Sequence, residues 1–234
     1  MNLKTYGKGN RHFLCLHGWS GNNTTFAPLQ CDGATLWCPD LPATTANDIA
    51  TQLCGLAKRI PGPLEIIGNC SGGIYGLLVA QRLPVSRIVL IDAFAFWPPY
   101  FQLFLHPFWG RIAYTTAFAN PVGRWIANRS LARHRTAKTD LTDGFARVDH
   151  DAVYKHLQIL SSVGPATRFC GIDSDVDVVF GERSFQAVRR SATIWAGIFP
   201  SARRHCLRGA GHLPILEATD QLREILMEVP CPVR

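Results

Sequence analysis

The sequence of 234 residues has no C-x-x-C cysteine pairs, no histidine cluster with zinc-ligand spacing, and no period in its 20 Gly and 15 Pro. The first two absences exclude zinc ribbons and thioredoxin-like motifs, so we expect no metal site. The third excludes collagen and repeat arrays. Charged residues are only 18 % and hydrophobic residues 47 %. This balance excludes a disordered chain and predicts one full-sized domain, with two small domains as the alternative.

The start of the chain also lacks the pattern of a secretory leader. The first residues, MNLKTYGKGNRHF, contain no apolar stretch of the length that a signal peptide has. The only uncharged run near 18 residues is interrupted by Pro and Gly, which does not suit a spanning helix. The eight cysteines stand singly, several of them inside apolar runs where a thiol packs as a small hydrophobe. We therefore expect free thiols in a reducing compartment and a cytoplasmic location.

Short apolar runs alternate with longer amphipathic stretches over most of the chain. Because continuous apolar strands separated by helices are typical of a parallel sheet covered on both faces, the pattern predicts a doubly wound α/β fold. The predicted strands are 12–18, 35–41, 64–69, 87–92, 176–181 and 203–209, and the predicted helices are 23–29, 46–59, 72–82, 185–198 and 213–228.

The alternation is interrupted between residues 93 and 166, which is too long for an ordinary loop. We predict a helical lid at 93–166, inserted into a core formed by 1–92 and 167–234. Residues 93–125 hold 11 of the 24 aromatic residues, and residues 93–139 contain no carboxylate. The same stretch carries six positive charges, nearly the whole net charge of +7. These are Arg111, Arg124, Arg129, Arg133, Arg135 and Lys138.

The strongest catalytic motif is GNCSGG at 68–73, between a predicted strand and a predicted helix. Small residues flank the central Cys70, as a sharp strand-to-helix turn requires when it exposes a nucleophile. The positive end of the following helix favours a thiolate at that position. The alternative register makes Ser71 the nucleophile, but it places Asn69 where a small residue is needed. A structural turn with a buried cysteine is the alternative without catalysis.

Two other segments supply the remaining parts of an acyl-transfer site. The segment LCLHGW at 14–19 ends a strand and opens a loop, so the backbone N–H groups of Trp19 and Ser71 are candidates for an oxyanion hole. His17, within this segment, is interpreted as a histidine that shapes the loop. The segment GAGHLP at 209–214 places His212 on a glycine-flanked loop, from which it can reach Cys70 as the general base.

Taken in order, LHGW, GNCSGG, an insert after RIVLID, and GAGHLP resemble the α/β-hydrolase superfamily over nearly the whole chain. The compact size and LHGW are most similar to the pimeloyl-carrier-protein methyl ester esterase branch and related small acyl esterases. The resemblance implies an α/β-hydrolase fold with the lid inserted after the equivalent of the family's sixth strand. It also implies a Ser nucleophile, where this chain has Cys70, and an acid at the position of Ser184.

The acid that orients His212 is therefore open between two residues. Asp92 ends the strand RIVLID, and some superfamily members take their acid from this strand. Glu182 is the alternative, and a chain without an acid is the third case. A carboxylate would hold the imidazole tautomer and stabilise the imidazolium, and a thiol depends on that help less than a hydroxyl does.

A Cys nucleophile forms a thioester intermediate, which favours thioesters or activated esters as donors over amides. We therefore predict an acyl (thio)ester hydrolase acting on acyl-coenzyme A, acyl-carrier protein or activated esters, with no cofactor. Trp97 and Phe101 are candidates for an acyl pocket, and Arg129 and Arg133 for contact with phosphates or an acidic carrier protein. The local charge and the absence of a nucleic-acid motif exclude nucleic acid. Contact with an anionic membrane is an alternative use of such a lid and is not the expected one.

Two other functions remain as alternatives. An acyltransferase or cyclase would use the same Cys70 and His212, because a thioester also reacts with amines and thiols. A catalytically inactive binding protein with a hydrolase fold is the other alternative, and the missing Asp at residue 184 is the only feature that favours it.

Overall fold

Seven strands form one sheet in the computed structural model, which describes residues 1–228. The strand order is β1-β3-β2-β4-β5-β6-β7, with β1 antiparallel to β3 and all other neighbours parallel. This confirms the predicted α/β fold with a mostly parallel sheet. The strands are β1 Leu3–Tyr6, β2 Arg11–Leu16, β3 Ala34–Pro39, β4 Glu65–Asn69, β5 Arg87–Ile91, β6 Asp175–Gly181 and β7 Arg203–Leu207.

Nine α-helices accompany the sheet within the described residues. On one face, α1, α2 and α7 cover the strands, and on the other face α8 and α9 do so. The central strands are apolar on both sides because each face is covered, and every residue of β5 is buried. The helices are α1 Ala46–Ala57, α2 Gly72–Ala80, α3 Pro99–Leu105, α4 Gly110–Tyr114, α5 Pro121–Ser130, α6 His150–Ser161, α7 Gln186–Ile198, α8 Pro214–Glu217 and α9 Thr219–Met227.

The predicted elements differ from the observed ones at three places. The strand β1 was not predicted, because its pattern is short and largely exposed. The predicted helix at 23–29 is wrong, since only Ala27–Leu29 form a 3-10 turn and polar side chains bind the preceding backbone. The predicted helix at 213–228 is interrupted at Ala218, whose φ of −143° and ψ of 43° separate α8 from α9. Cys231, one of the eight predicted free thiols, lies outside the described residues.

The segment between β5 and β6 contains α3 to α6 and a π-helix at Thr115–Ala119. A separate cluster holds these helices together, formed by Tyr114, Phe145, Val153 and Tyr154, with Trp19 packed against it. The division into a core at 1–92 and 167–234 and a lid at 93–166 remains a prediction. Within residues 1–228, no helix has the length and apolar character needed to cross a membrane.

A buried ion pair fixes the edge of the sheet opposite to the nucleophile turn. Arg87 at the start of β5 is 1 % exposed and donates from Nε to Asp177 Oδ2 at 2.7 Å. Its other nitrogens donate to the carbonyls of Ile225 and Leu226 at the end of α9. Burial raises the pKa of Asp177, but hydrogen bonds from His205 and Arg203 and the charge of Arg87 outweigh burial and hold it well below its usual range. One side chain therefore connects β5, β6 and α9.

Replacement of Arg87 by Met should lower the free energy of unfolding by about 3 kcal/mol, because it removes the buried cation bound to Asp177 and leaves the carbonyls of Ile225 and Leu226 without their donor. Urea unfolding monitored by circular dichroism measures the change. The control Asp220→Asn removes an ion pair whose carboxylate is 90 % exposed, and it should leave the midpoint nearly unchanged. Equal effects of the two variants would contradict the assignment.

Candidate active site

Cys70 is the first residue of a two-residue turn between β4 and α2. Its φ is +52°, in the left-handed region that a non-glycine residue adopts at a cost. The Cys70 N–H donates to the carbonyl of Ile91 at 2.7 Å, which ties the turn to the end of β5. The turn therefore holds the Cys70 side chain at the carboxyl edge of the sheet, beside the end of the neighbouring strand.

The small residues around Cys70 are required by close backbone contacts. A Cβ on Gly68 would lie 2.4 Å from the Cα of Gly73, and a Cβ on Gly72 would lie 2.0 Å from the carbonyl oxygen of Leu16. Both separations are shorter than any van der Waals contact. The GNCSGG motif thus has the sharp turn for which its glycines are needed.

His212 lies in the loop after β7, with 14 % of its side chain exposed. Its Nδ1 is 2.8 Å from Oδ2 of Asp92, which follows β5 and is fully buried. The other carboxylate oxygen of Asp92 accepts from the N–H of Gly181 at 3.0 Å. The structure therefore brings Asp92 to the imidazole. Asp92 itself has a φ of +48°.

Ser184 completes this arrangement, although no role was assigned to it from the sequence. Its Oγ donates to Asp92 Oδ2 at 2.6 Å and lies 3.2 Å from His212 Nδ1. The one signal available was that the resemblance implies an acid at this position. In this chain the hydroxyl fills the position and binds a carboxylate that comes from β5 instead.

The surroundings of His212 favour its protonated form. Burial lowers the pKa of the imidazole, but a hydrogen bond to Asp92 and another to Cys70, together with the charges of both groups, raise it to about 10. Cys70 and His212 line the same cleft. An imidazolium held between a carboxylate and a sulfur can stabilise a thiolate and can later donate a proton.

The loop that carries His212 is fixed by the segment before α6. The His212 N–H donates to the carbonyl of His134 at 2.7 Å, and the ring of Phe185 lies 4.5 Å from the imidazole. The carboxylate of Glu217 accepts from the N–H of Gly211 at 2.5 Å and from the N–H of Thr136 at 2.7 Å. The insert therefore restricts the position of the catalytic candidate His212 as well as covering the sheet.

The loop after β2 lies directly against Cys70, as an oxyanion hole requires. A Cβ on Gly18 would lie 2.9 Å from the Cβ of Cys70. Within residues 1–228, the backbone N–H groups of Trp19 and Ser71 donate to no protein acceptor, which leaves them for a substrate oxygen. The indole of Trp19 donates to the carbonyl of Val153 at 2.9 Å and so anchors this loop to α6.

His17 has the loop-shaping position that the sequence analysis gave it. Its Nδ1 donates to the carbonyl of Gly18 at 2.9 Å, and its Nε2 accepts from the N–H of Leu41 at 3.2 Å. Burial lowers the pKa of His17 to about 4, so the ring is neutral and can make both bonds. The general-base position therefore belongs to His212.

Two predicted site residues lie away from the site. Glu182 is exposed, and its Oε2 accepts from the N–H of Gly209 at 2.8 Å, so the alternative acid does not meet His212. The guanidinium of Arg129 lies 6.0 Å from the ring of Trp125 and does not line the cavities described below. The alternative acid Glu182 is therefore wrong, because it binds the backbone of the loop after β7, whereas contact of the exposed Arg129 with phosphates or a carrier protein stays a prediction.

Two cavities meet at Cys70. A narrow apolar pocket of about 70 Å³ lies on one side, and a wide cleft of about 1120 Å³ lies on the other. Trp19, Phe94 and Phe101 line both cavities together with Cys70, and His212 and Arg133 line the cleft. The narrow pocket is closed by Ile74, Trp97, Leu157, Leu160 and Phe169. Among the described residues, no three His, Cys, Asp or Glu side chains are arranged to hold a metal ion.

Comparison with known proteins places this geometry among hydrolases. The model of the family described as alpha/beta hydrolase family matches residues 13–225. No curated protein matches the chain by sequence.

Solved structures resemble the chain over nearly its full length. A thermophilic esterase from Thermogutta terrifontis has a TM-score of 0.76 and 17 % identity, covering 96 % of this chain and 90 % of that one. The enol-lactonase from Burkholderia xenovorans LB400 has a TM-score of 0.73 and 15 % identity, covering 96 % and 94 %. MenH from S. aureus has a TM-score of 0.70 and 15 % identity, covering 96 % of each chain. Identities this low show a common fold.

Replacement of Asp92 by Asn should lower the pKa of His212 from about 10, because the imidazolium loses the negative charge next to its Nδ1. Titration of the imidazole by NMR measures this directly. The matched control Glu182→Gln removes the other candidate carboxylate and should leave the titration unchanged. A shift in the control and none in Asp92→Asn would reverse the assignment of the acid.

Proposed function

The chain belongs to the α/β hydrolase family, and we propose that it hydrolyses carboxylic esters or thioesters through an acyl-enzyme on Cys70. One observation carries the proposal: Cys70 occupies the nucleophile turn and lines the same cleft as His212, which is bound to the buried Asp92. A nucleophile, a base and an orienting acid are thereby brought together at one cleft.

The proposed reaction starts from a Cys70 thiolate and a His212 imidazolium. The sulfur attacks the acyl carbon, and the N–H groups of Trp19 and Ser71 bind the oxyanion. The bond to the leaving oxygen or sulfur breaks, and the leaving group takes the proton of His212. Water then attacks the thioester and gives a proton to His212, while the carbon–sulfur bond breaks. The acid is released, and the thiolate–imidazolium pair is restored.

The two cavities support a division of the substrate on either side of Cys70. The narrow apolar pocket with Trp97 and Phe101 suits a short acyl group, and the wide cleft suits a larger leaving group. Arg133 and Arg190 line the cleft and provide positive charge for a phosphate-bearing or acidic leaving group. Because the intermediate is itself a thioester, exchange with a thioester donor is close to isoenergetic. We therefore propose acyl-coenzyme A or acyl-carrier protein thioesters, or activated esters, as donors.

Transfer to another acceptor is the second candidate function. The cleft of about 1120 Å³ leaves room beside Cys70 for an acceptor after the leaving group departs, and thioesters react readily with amines and thiols. A binding protein without activity is less well supported, because binding alone does not require the contacts among His212, Asp92 and Ser184 beside Cys70.

Mixing the protein with a short p-nitrophenyl ester should release p-nitrophenol in a stoichiometric burst and add one acyl group to Cys70. Intact mass and peptide mapping identify the adduct. Cys70→Ala should abolish both burst and adduct, whereas Cys206→Ser, which removes an exposed thiol, should retain them. Turnover with no adduct and unchanged activity in Cys70→Ala would refute the nucleophile. Competition between water and added hydroxylamine for the acyl group distinguishes transfer from hydrolysis.

Activity should also respond to the position of the acid. Asp92→Asn should reduce turnover at least tenfold, because the imidazole loses its orientation and its countercharge. The double variant Asp92→Asn with Ser184→Asp should recover part of this loss, since Ser184 Oγ is only 3.2 Å from His212 Nδ1. Steady-state rates on the same ester test this rescue. If the second substitution lowers the rate further, Ser184 is not an alternative place for the acid.

A further inference from the structure

The helices α3, α4 and α5 expose an unusual number of large apolar side chains. Single exposed apolar residues are ordinary on protein surfaces, but a contiguous group of them marks an interaction site. Among residues 1–228, the large hydrophobic side chains that are mostly exposed lie almost entirely in this part of the chain, with Met1 and Leu216 outside it. We call the group formed by Phe108, Trp109, Ile112, Val122, Trp125 and Ile126 the exposed apolar surface. Each of its members is at least 56 % exposed.

The three helices form one connected unit, so this surface is not a set of unrelated positions. The helix α4 continues into the π-helix at Thr115–Ala119, and α5 packs back on that π-helix. A Cβ on Gly123 would lie 1.8 Å from the carbonyl oxygen of Thr116, which shows how closely the two helices approach. The inner side of the unit packs on Trp19 and Tyr114, and the exposed apolar surface remains uncovered.

The helices that carry this surface contribute only positive charge. Residues 93–139 contain no carboxylate, and the guanidinium of Arg129 lies over the ring of Trp125 within the surface. A second copy of the chain would bring like charges together, which disfavours self-association. Two other cations are already engaged internally, because Arg111 pairs with Asp151 and Arg124 donates to two carbonyls of the π-helix. The surface thus offers much apolar area and few free charges, unlike a patch that binds an acidic protein helix through several ion pairs.

We propose that the exposed apolar surface docks on a phospholipid leaflet that contains anionic lipids. Trp and Phe side chains insert at the boundary between headgroups and acyl chains, while Arg129 remains at the level of the phosphates. The helix α3 packs on α4, and its half-exposed Leu103 and Tyr100 line the cleft. Docking would therefore place the cleft at the lipid surface. With the proposed function, this favours amphipathic acyl substrates that reach Cys70 from the leaflet.

Vesicle binding tests the docking without depending on catalysis. The wild-type chain and Cys70→Ala should both sediment with vesicles of phosphatidylcholine and phosphatidylglycerol (3:1) and show a blue shift of tryptophan fluorescence. Binding to pure phosphatidylcholine should be at least tenfold weaker. The double variant Trp109→Ser with Trp125→Ser should lose at least tenfold in affinity for the mixed vesicles, and Arg129→Glu should lose severalfold. The matched control Arg59→Glu, on an exposed position after α1, should bind as the wild type does.

The variants should hydrolyse a soluble p-nitrophenyl ester at the same rate as the wild type, because none of the substituted residues lines the site. Absence of vesicle binding by the wild type overturns the proposal. The proposal is also overturned if the affinity for vesicles is the same with and without the anionic lipid and is unchanged by the two Trp substitutions. Binding to an acidic acyl-carrier protein that requires Trp109 and Trp125, with no vesicle binding, would assign the surface to a protein partner. A monomer–dimer equilibrium lost in the double variant would assign it to a second copy.

Discussion

The pairing of β4 with β5 determines where the reactive groups lie. The Cys70 N–H binds the carbonyl of Ile91 at 2.7 Å, so the residues that leave the two strands, Cys70 and Asp92, stand next to one another. Both have positive φ, at +52° and +48°, and each leaves its strand in a sharp turn. These strained residues persist because the surrounding sheet over-determines them. In this chain the parallel central strands bring both residues to the same carboxyl edge of the sheet.

The insert adds a second constraint, on the imidazole. The carbonyl of His134 and the carboxylate of Glu217 hold the backbone beside His212, and Trp19 joins the oxyanion loop to α6. Trp19 also packs on Tyr114 of α4, so the loop after β2 contacts one of the helices that carry the exposed apolar surface. Docking of that surface on a membrane would therefore involve a helix that is in direct contact with Trp19 at the site.

Local patterns predicted most of what depends on short segments. The GNCSGG turn, the strand before Asp92 and the glycine-flanked His212 each have a local cause in the sequence, and the sheet follows from alternating apolar and amphipathic runs. Ser184 and Glu217 were not found, because their partners Asp92 and Gly211 meet them only in the folded chain. Arg129 was chosen from charge alone as a contact for phosphates or a carrier protein, and its position over the ring of Trp125 was not foreseen. The surroundings of these three side chains depend on contacts that form only in the folded chain, and local sequence patterns do not show such contacts.

The state of the Cys70 sulfur is the central claim, and its alkylation rate tests that claim most directly. Ordinary thiols carry little thiolate near pH 6, since their pKa is about 8.5. Because Cys70 precedes the N-terminus of α2 and shares a cleft with His212, its sulfur should react with iodoacetamide at that pH far faster than the exposed Cys170 and Cys206, as measured by peptide mass spectrometry over time. The account predicts a rate at least tenfold higher at Cys70, and equal rates at the three thiols would contradict it.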